Sequence, residues 1–109
     1  MRRKLLIRPE AEADIVTAHN WYKLQAEGLG TEFLRAVDAC LSAIERNPLA
    51  YPLIHKQVRR SLIRKFPYAI FYLIEIEEDE DLSQPVEKIV VLACFHAKRD
   101  PKQWQKRVT

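Results

Sequence analysis

The sequence has few glycines, few cysteines and no long apolar run. Only two glycines, Gly28 and Gly30, occur in 109 residues, so there is no glycine-rich loop of the kind that cradles phosphate groups. The two cysteines lie far apart in apolar contexts, which indicates small buried thiols in a reduced compartment. No stretch approaches the ~18 apolar residues of a membrane span, and the apolar run near the basic N-terminus is too short for a signal peptide. We therefore expect a cytoplasmic protein without a membrane partner.

Acidic residues are absent from the middle of the chain. No Asp or Glu lies between Glu45 and Glu75, although the net charge of the whole chain is only +3. The cations of this middle stretch include Arg59, Arg60, Arg64 and Lys65. Unpaired positive charge suits an anionic partner, but it also protects an edge strand from aggregation. The charge pattern alone leaves both interpretations open.

The first half of the chain shows helical periodicity. A short strand is predicted over Lys4–Arg8, and a helix over Pro9–Ala26 follows, because proline suits the first helical turn and apolar residues recur at helical spacing. The glycine pair ends this helix, and Thr31 is predicted to cap a second one. Asn47-Pro48 ends the second helix, because a residue before proline is pushed out of the helical region. These signals predict a helical hairpin packed on a sheet.

The second half carries strand patterns. The stretch Leu49–Gln57 is aperiodic and predicts a loop, whereas Val58–Lys65 alternates and predicts a partly exposed strand. Ala69–Ile76 begins apolar on both faces, as a central strand does, and Glu87–His96 shows the strongest strand pattern. The polar run Glu77–Pro85 between them predicts a hairpin loop.

Together these elements predict a single α+β domain over residues 1–109. Its expected order is an N-terminal strand, a helical hairpin, a three-stranded antiparallel meander and a short C-terminal helix, with Trp104 as an anchor on the body. His19, His55 and His96 fall on different elements and form no ligand motif with the cysteines. We therefore expect neither a metal ion nor a cofactor.

His96 ends the last predicted strand, where simple alternation places it on one face with Val90, Leu92 and Cys94. A histidine at a strand end is commonly structural. Metal-free RNA cleavage, however, requires a base for the 2′-hydroxyl, an acid for the leaving oxygen and cations for the phosphorane charge. The side chains that would converge with His96 on one concave surface are Arg59, Arg60, Arg64, Tyr68 and Tyr72.

A series of motifs runs along nearly the whole chain. They are Gly28-Leu29-Gly30 between helices, Phe33-Leu34, Asn47-Pro48, Arg60, Phe66-Pro67-Tyr68, Tyr72, His96, Arg99-Asp100-Pro101 and Trp104. In order and spacing the series resembles the RelE/ParE superfamily of toxins from bacterial type II toxin–antitoxin systems, and most closely its ParE-like, plasmid-stabilisation branch. The resemblance implies a RelE/ParE-like fold and a growth-inhibiting toxin that a cognate antitoxin neutralises in a hetero-oligomeric complex.

The resemblance also implies one of two targets. RelE-like members cut messenger RNA on the ribosome, whereas ParE-like members poison DNA gyrase and block replication. The cleaving branch usually has an arginine three residues before the tyrosine of the third strand, and a tyrosine after the histidine. Here these positions hold Ala69 and Ala97. The departures favour a gyrase-directed toxin that is not an enzyme; an inactive module that only binds antitoxin is a further alternative.

The alternatives assign different roles to the same residues. In a ribosome-dependent endoribonuclease the candidate catalytic residues are His96, Arg59, Arg60 and Arg64. In a gyrase-directed toxin the expected target or antitoxin contacts are Arg59, Arg60, Arg64, Lys65, Tyr68, Tyr72, Arg99 and Trp104. Under every alternative we expect an exposed apolar groove on the helical hairpin or at a sheet edge, where a partner segment buries its own apolar side chains.

Overall fold

The chain forms an α+β fold, as the sequence predicts. A computed structural model describes residues 2–78 and 84–108. The elements in chain order are β1 (Arg2–Ile7), α1 (Pro9–Gln25), α2 (Leu29–Arg46), a 3-10 turn (Pro48–Ala50), β2 (Leu53–His55), β3 (Val58–Leu62), β4 (Tyr68–Glu77), β5 (Val86–His96) and α3 (Lys102–Gln105). Most of the predicted Glu77–Pro85 loop lies outside the described residues. No helix in the described ranges combines the length and apolar character needed to cross a bilayer.

A five-stranded mixed sheet forms the centre of the fold, in the order β1-β5-β4-β3-β2. β1 runs parallel to β5, whereas the other neighbours are antiparallel. The predicted loop over Leu49–Gln57 is wrong, because it contains the 3-10 turn and β2. β2 has only three residues and pairs irregularly with β3. So short a strand leaves no readable alternation in the sequence.

The two main helices meet at the glycine pair. Gly28 has a φ of 79°, in the left-handed region, and α2 begins directly after it at Leu29. Thr31 therefore lies inside the first turn of α2 and does not cap it, contrary to the prediction. A Cβ atom on Gly30 would lie 3.1 Å from the His19 ring and 3.2 Å from the His19 carbonyl oxygen. Glycine at this position lets α1 and α2 approach closely at the hairpin.

The sheet buries both of its faces. The face under α1 and α2, called here the helix face, carries Ile70, Tyr72, Ile89 and Val91, and Phe33 and Ile44 of α2 join the same core. The opposite face, covered in part by α3 and called here the α3 face, carries Val58, Phe71, Leu92 and Phe95, and Trp104 of α3 joins that core. Burial on both sides explains the almost continuous apolar run in β5.

An extra residue in β5 shifts its register against the middle of β4. In a regular strand, every second side chain points to the same face. The bulge interrupts this alternation, so the residues after it point to the face opposite the one that regular alternation predicts. Val90 and Leu92 lie on the α3 face, whereas Cys94 belongs to the helix-face core. His96 contacts the Tyr68 ring on that same helix face. The prediction that His96 shares a face with Val90 and Leu92 is therefore wrong, and only Cys94 lies with it.

Candidate partner-binding surface

The β3–β4 turn and the end of β5 meet at one end of the sheet. The backbone N–H of Ala97 donates to the Pro67 carbonyl at 2.8 Å, and the N–H of Ile63 donates to the Tyr68 carbonyl at 2.9 Å. These bonds bring together two segments that carry basic residues, called here the cationic end: Arg64, Lys65, His96, Lys98 and Arg99. All are exposed except His96, which is half-buried.

Arg64 and Lys65 border a groove between the turn and α2. The groove encloses about 440 Å³ and is lined by Leu29, Glu32, Arg35, Ala36, Ala39, Arg64, Lys65 and Phe66. The Phe66 ring packs edge-on against Phe33, with centroids 5.2 Å apart. This packing fixes the turn against the helical hairpin. The groove thus has an apolar floor and a rim on which cations outnumber its single carboxylate, and it lies on the helical hairpin where such a groove was expected.

Tyr68 and His96 are direct cross-strand partners with ring centroids 5.4 Å apart. The Lys98 backbone N–H donates to His96 Nδ1 at 3.1 Å, which places the proton of the neutral imidazole on Nε2. Burial raises the pKa of Tyr68, and Cys94 adds to this rise while Arg99 opposes it. The phenol of a tyrosine is neutral at physiological pH, and the rise in the pKa of Tyr68 keeps it so at higher pH, where it can still donate a hydrogen bond.

The C-terminal helix packs against the α3 face through Trp104. Its ring stacks on Phe71 with centroids 4.9 Å apart, and the residue is only 5% exposed. The anchoring role predicted for Trp104 is confirmed, and this burial leaves little of the side chain to contact a partner. Arg99 lies over the Phe95 ring at 4.0 Å and bonds to Gln103. These contacts hold the Arg99 guanidinium on the α3-face side of the cationic end, because Phe95 belongs to that face.

Arg59 and Arg60 do not lie on one surface, because they are adjacent residues of β3 and point to opposite faces. Arg59 lies opposite Tyr72 on the helix face and donates to the Tyr51 carbonyl at 2.6 Å. Arg60 lies opposite Phe71 on the α3 face. The structure therefore does not bring both arginines to His96.

Tyr72 is completely buried under the helical hairpin. Its hydroxyl donates to the Pro48 carbonyl oxygen at 2.6 Å and holds the 3-10 turn against the sheet. Burial raises the pKa of Tyr72 to about 12, although the nearby Arg59 charge acts in the opposite direction. Tyr72 supports the fold and presents no surface to a partner.

Both thiols are free and buried, as the sequence predicts. Cys40 lies 3.3 Å from the Ser61 hydroxyl. Burial raises the pKa of Cys40, and it raises the pKa of Cys94 to about 12. Both therefore remain neutral and unreactive at physiological pH. Within residues 2–78 and 84–108, no group of three His, Cys, Asp or Glu side chains is arranged to hold a metal ion.

A scan of the sequence against protein-family models finds no match, and a search of the curated proteins finds none either. The observation that bears on function is therefore the geometry of the cationic end.

Two parts of this surface escaped the sequence analysis. Lys98 joins the cationic end because the Pro67–Ala97 bond brings the two loops together, and this contact has no local signal. Arg35 on α2 reaches the same groove from a distant part of the chain. The sequence does carry one signal for Lys98: Lys98 and Arg99 follow closely after the strand that ends at His96, and this indicates positive charge at that end of the sheet.

Proposed function

We propose that this protein is the toxin of a type II toxin–antitoxin pair of the RelE/ParE kind, and that it acts by binding DNA gyrase and blocking replication. The observation that carries the proposal is the cationic end beside its apolar-floored groove. Three motifs of the resemblance meet there: Phe66-Pro67-Tyr68, His96 and Arg99. Clustered cations suit an anionic or acidic target surface.

The positions of the other candidate site residues support binding of a partner rather than cleavage of RNA. An RNA-cleaving site needs an acid, a base and a cation around one phosphate, within hydrogen-bond reach. Arg59 is occupied with backbone carbonyls on the helix face, Arg60 is on the α3 face, and Tyr72 is buried. The Tyr68 phenol is protonated at physiological pH, and burial raises its pKa further above the ordinary 10.0, so it cannot act as the base. This arrangement suits recognition of a surface better than chemistry at one phosphate.

Exposed apolar side chains on α1 support an antitoxin partner. Val16, Trp21 and Leu24 on α1 are each at least half exposed. Together with the groove beside α2, they give the helical hairpin an apolar surface that a bound antitoxin segment would bury. Antitoxin binding should therefore raise the melting temperature of the chain by mass action.

One contact favours a second candidate, a ribosome-dependent messenger RNA endonuclease. His96 and Tyr68 touch, and Arg99 is close enough to lower the pKa of Tyr68. A histidine, a phenol and a guanidinium are thus neighbours at the cationic end. In this alternative His96→Gln abolishes growth arrest while fold and antitoxin binding stay unchanged. In a gyrase-directed toxin the same variant still arrests growth.

Induction of the chain in bacteria separates these functions. We expect DNA synthesis, followed by pulse-labelling, to stop before RNA synthesis while transcripts stay intact. Arg64→Ala/Lys65→Ala should weaken the arrest, and Arg2→Ala/Lys4→Ala on β1 should not, although both variants remove two exposed cations. Early cleavage of transcripts within translated codons contradicts the gyrase proposal and supports the endonuclease. Growth without arrest, combined with antitoxin binding, identifies an inactive binding module.

A further inference from the structure

β4 is longer than β3, which leaves part of its outer edge without a neighbour. Pairing between the two strands runs from Arg59 opposite Tyr72 to Leu62 opposite Ala69. β4 continues to Glu77 and remains paired with β5 over this whole length. β3 begins at Val58, and the residues before it turn away into β2. On this side of β4, no strand among the described residues therefore pairs with residues 74–77.

The backbone groups of Ile74 and Ile76 point to this open edge. The carbonyl of Tyr68 accepts the N–H of Ile63, so the backbone groups of Tyr68 face β3. In an antiparallel sheet every second residue directs its N–H and C=O to the same neighbour. The register shift lies in β5, and β4 itself carries no extra residue. The even-numbered residues of β4 therefore face the β3 side throughout, and those beyond Tyr72 meet no strand there.

The helix face next to this edge is an exposed apolar cleft. It encloses about 400 Å³ between the 3-10 turn, the β2–β3 turn and the end of β4. Leu49 is 64% exposed, and Leu53 and Ile76 are each 56% exposed. Three charged residues line the cleft. Arg59 donates to backbone carbonyls and Glu87 pairs with Arg3 at 2.8 Å, while Lys56 lies in the β2–β3 turn at its border.

The opposite face of the same edge is acidic. Glu75 and Glu77 are exposed on this face, and Glu75 has a long ion pair of 3.7 Å with Lys88. The exposed Glu78 follows directly after β4. A second copy pairing edge to edge would place glutamates opposite glutamates, and like charges directly opposite each other destabilise a strand pair. A strand that carries cations at these positions gains attraction in place of repulsion.

We propose that the open β4 edge accepts, as an added strand, an extended segment of a second protein in which apolar residues alternate with lysine or arginine. The segment's backbone bonds to Ile74 and Ile76, and its apolar side chains enter the cleft beside Leu49 and Leu53. Its basic side chains lie opposite Glu75 and Glu77. Backbone bonds supply affinity in such strand addition, and alternate side chains supply specificity.

This surface does not rest on the toxin proposal. It lies at the Glu77 end of β4, whereas the cationic end lies at the Tyr68 end of the same strand. The two surfaces also select opposite charges in a partner.

A pair of blocked seven-residue peptides tests the proposal on the full chain. Both have valine at alternate positions, with lysine between them in one peptide and glutamate in the other. Hydrogen exchange followed by NMR should show slower exchange of the Ile74 and Ile76 amides on addition of the lysine peptide. The amides of Glu75 and Glu77 should change little, because they already pair with β5. The lysine peptide should bind roughly tenfold more tightly than the glutamate peptide, from two charge pairs.

Two variants sharpen the test. Glu75→Gln/Glu77→Gln should abolish the preference for the lysine peptide. Ile76→Pro removes the outward N–H donor and leaves the bonds to β5, so it should abolish binding, whereas Ile76→Val should retain it. Equal binding of both peptides to the wild type, or no slowing at Ile74 and Ile76, overturns the proposal. Concentration-dependent slowing without peptide also overturns it, because the occupant is then a second copy.

Discussion

The carboxylate of Asp14 and the guanidinium of Arg107 form a two-point ion pair across the edge of β5 that β1 leaves open. The N···O distances are 2.7 and 3.3 Å. The same carboxylate accepts the Cys94 backbone N–H at 3.0 Å, and Arg107 donates to the Leu92 carbonyl at 3.0 Å. Because β1 ends at Ile7, this side-chain pair substitutes for a neighbouring strand and joins the C-terminal segment to α1.

Removing either partner of this ion pair should destabilise the fold. Asp14→Asn and Arg107→Gln should each lower the free energy of unfolding by about 2 kcal/mol, because the loss leaves a partly buried charge and a strand edge without its partner. The double variant should lose less than the sum of the singles. Urea denaturation measures all three, with the exposed Glu12→Gln on α1 as a control expected within about 0.5 kcal/mol of wild type. Strictly additive losses would show that the two side chains do not interact.

Trp104 should contribute as much to stability as a core residue. Trp104→Ala should cost about 3 kcal/mol in chemical denaturation, because it removes a buried ring stacked on Phe71, whereas Trp104→Phe should cost about half as much. A C-terminal truncation that removes Trp104 and Arg107 should therefore destabilise the fold in addition to removing any contact surface. A fully stable Trp104→Ala variant would contradict this account of α3.

Stability should fall in alkali. The pKa of Cys94 in the folded chain is about 12, against 9.0 for an ordinary cysteine, and that of Tyr72 is about 12, against 10.0. The unfolded chain therefore loses these protons first as pH rises. The contribution of each group to the free energy of unfolding is fully present below its ordinary pKa. It falls by about 1.4 kcal/mol per pH unit between the ordinary pKa and the pKa in the folded chain.

Denaturation between pH 8 and 11 measures this decline. We expect Cys94→Ala to make the fall in unfolding free energy above pH 9 shallower. An unchanged slope in that variant would show that the Cys94 thiol is not protected by burial.

Much of the architecture follows from local signals. Pro9, Gly28 and Asn47-Pro48 mark helix ends, and the apolar runs mark β4 and β5. β2 and the β5 bulge left no such signal, since one is three residues long and the other depends on the partner strand. The bulge in turn decided the face on which His96 lies.

The candidate site was less predictable than the fold. Alternation places Arg59 and Arg60 on opposite faces, and that fact was readable from the sequence. The burial of Tyr72 was not, because it depends on where the 3-10 turn packs. The Asp14–Arg107 pair joins residues at opposite ends of the chain, and neither has a local pattern that names the other.

We propose that the cationic end binds DNA gyrase, and DNA supercoiling by purified gyrase in the presence of the purified chain measures this interaction. We expect inhibition by the wild type, roughly tenfold weaker inhibition by Arg64→Ala/Lys65→Ala, and unchanged inhibition by Arg2→Ala/Lys4→Ala. Gyrase that supercoils DNA normally beside the folded wild-type chain contradicts the claim, as does equal inhibition by all three proteins.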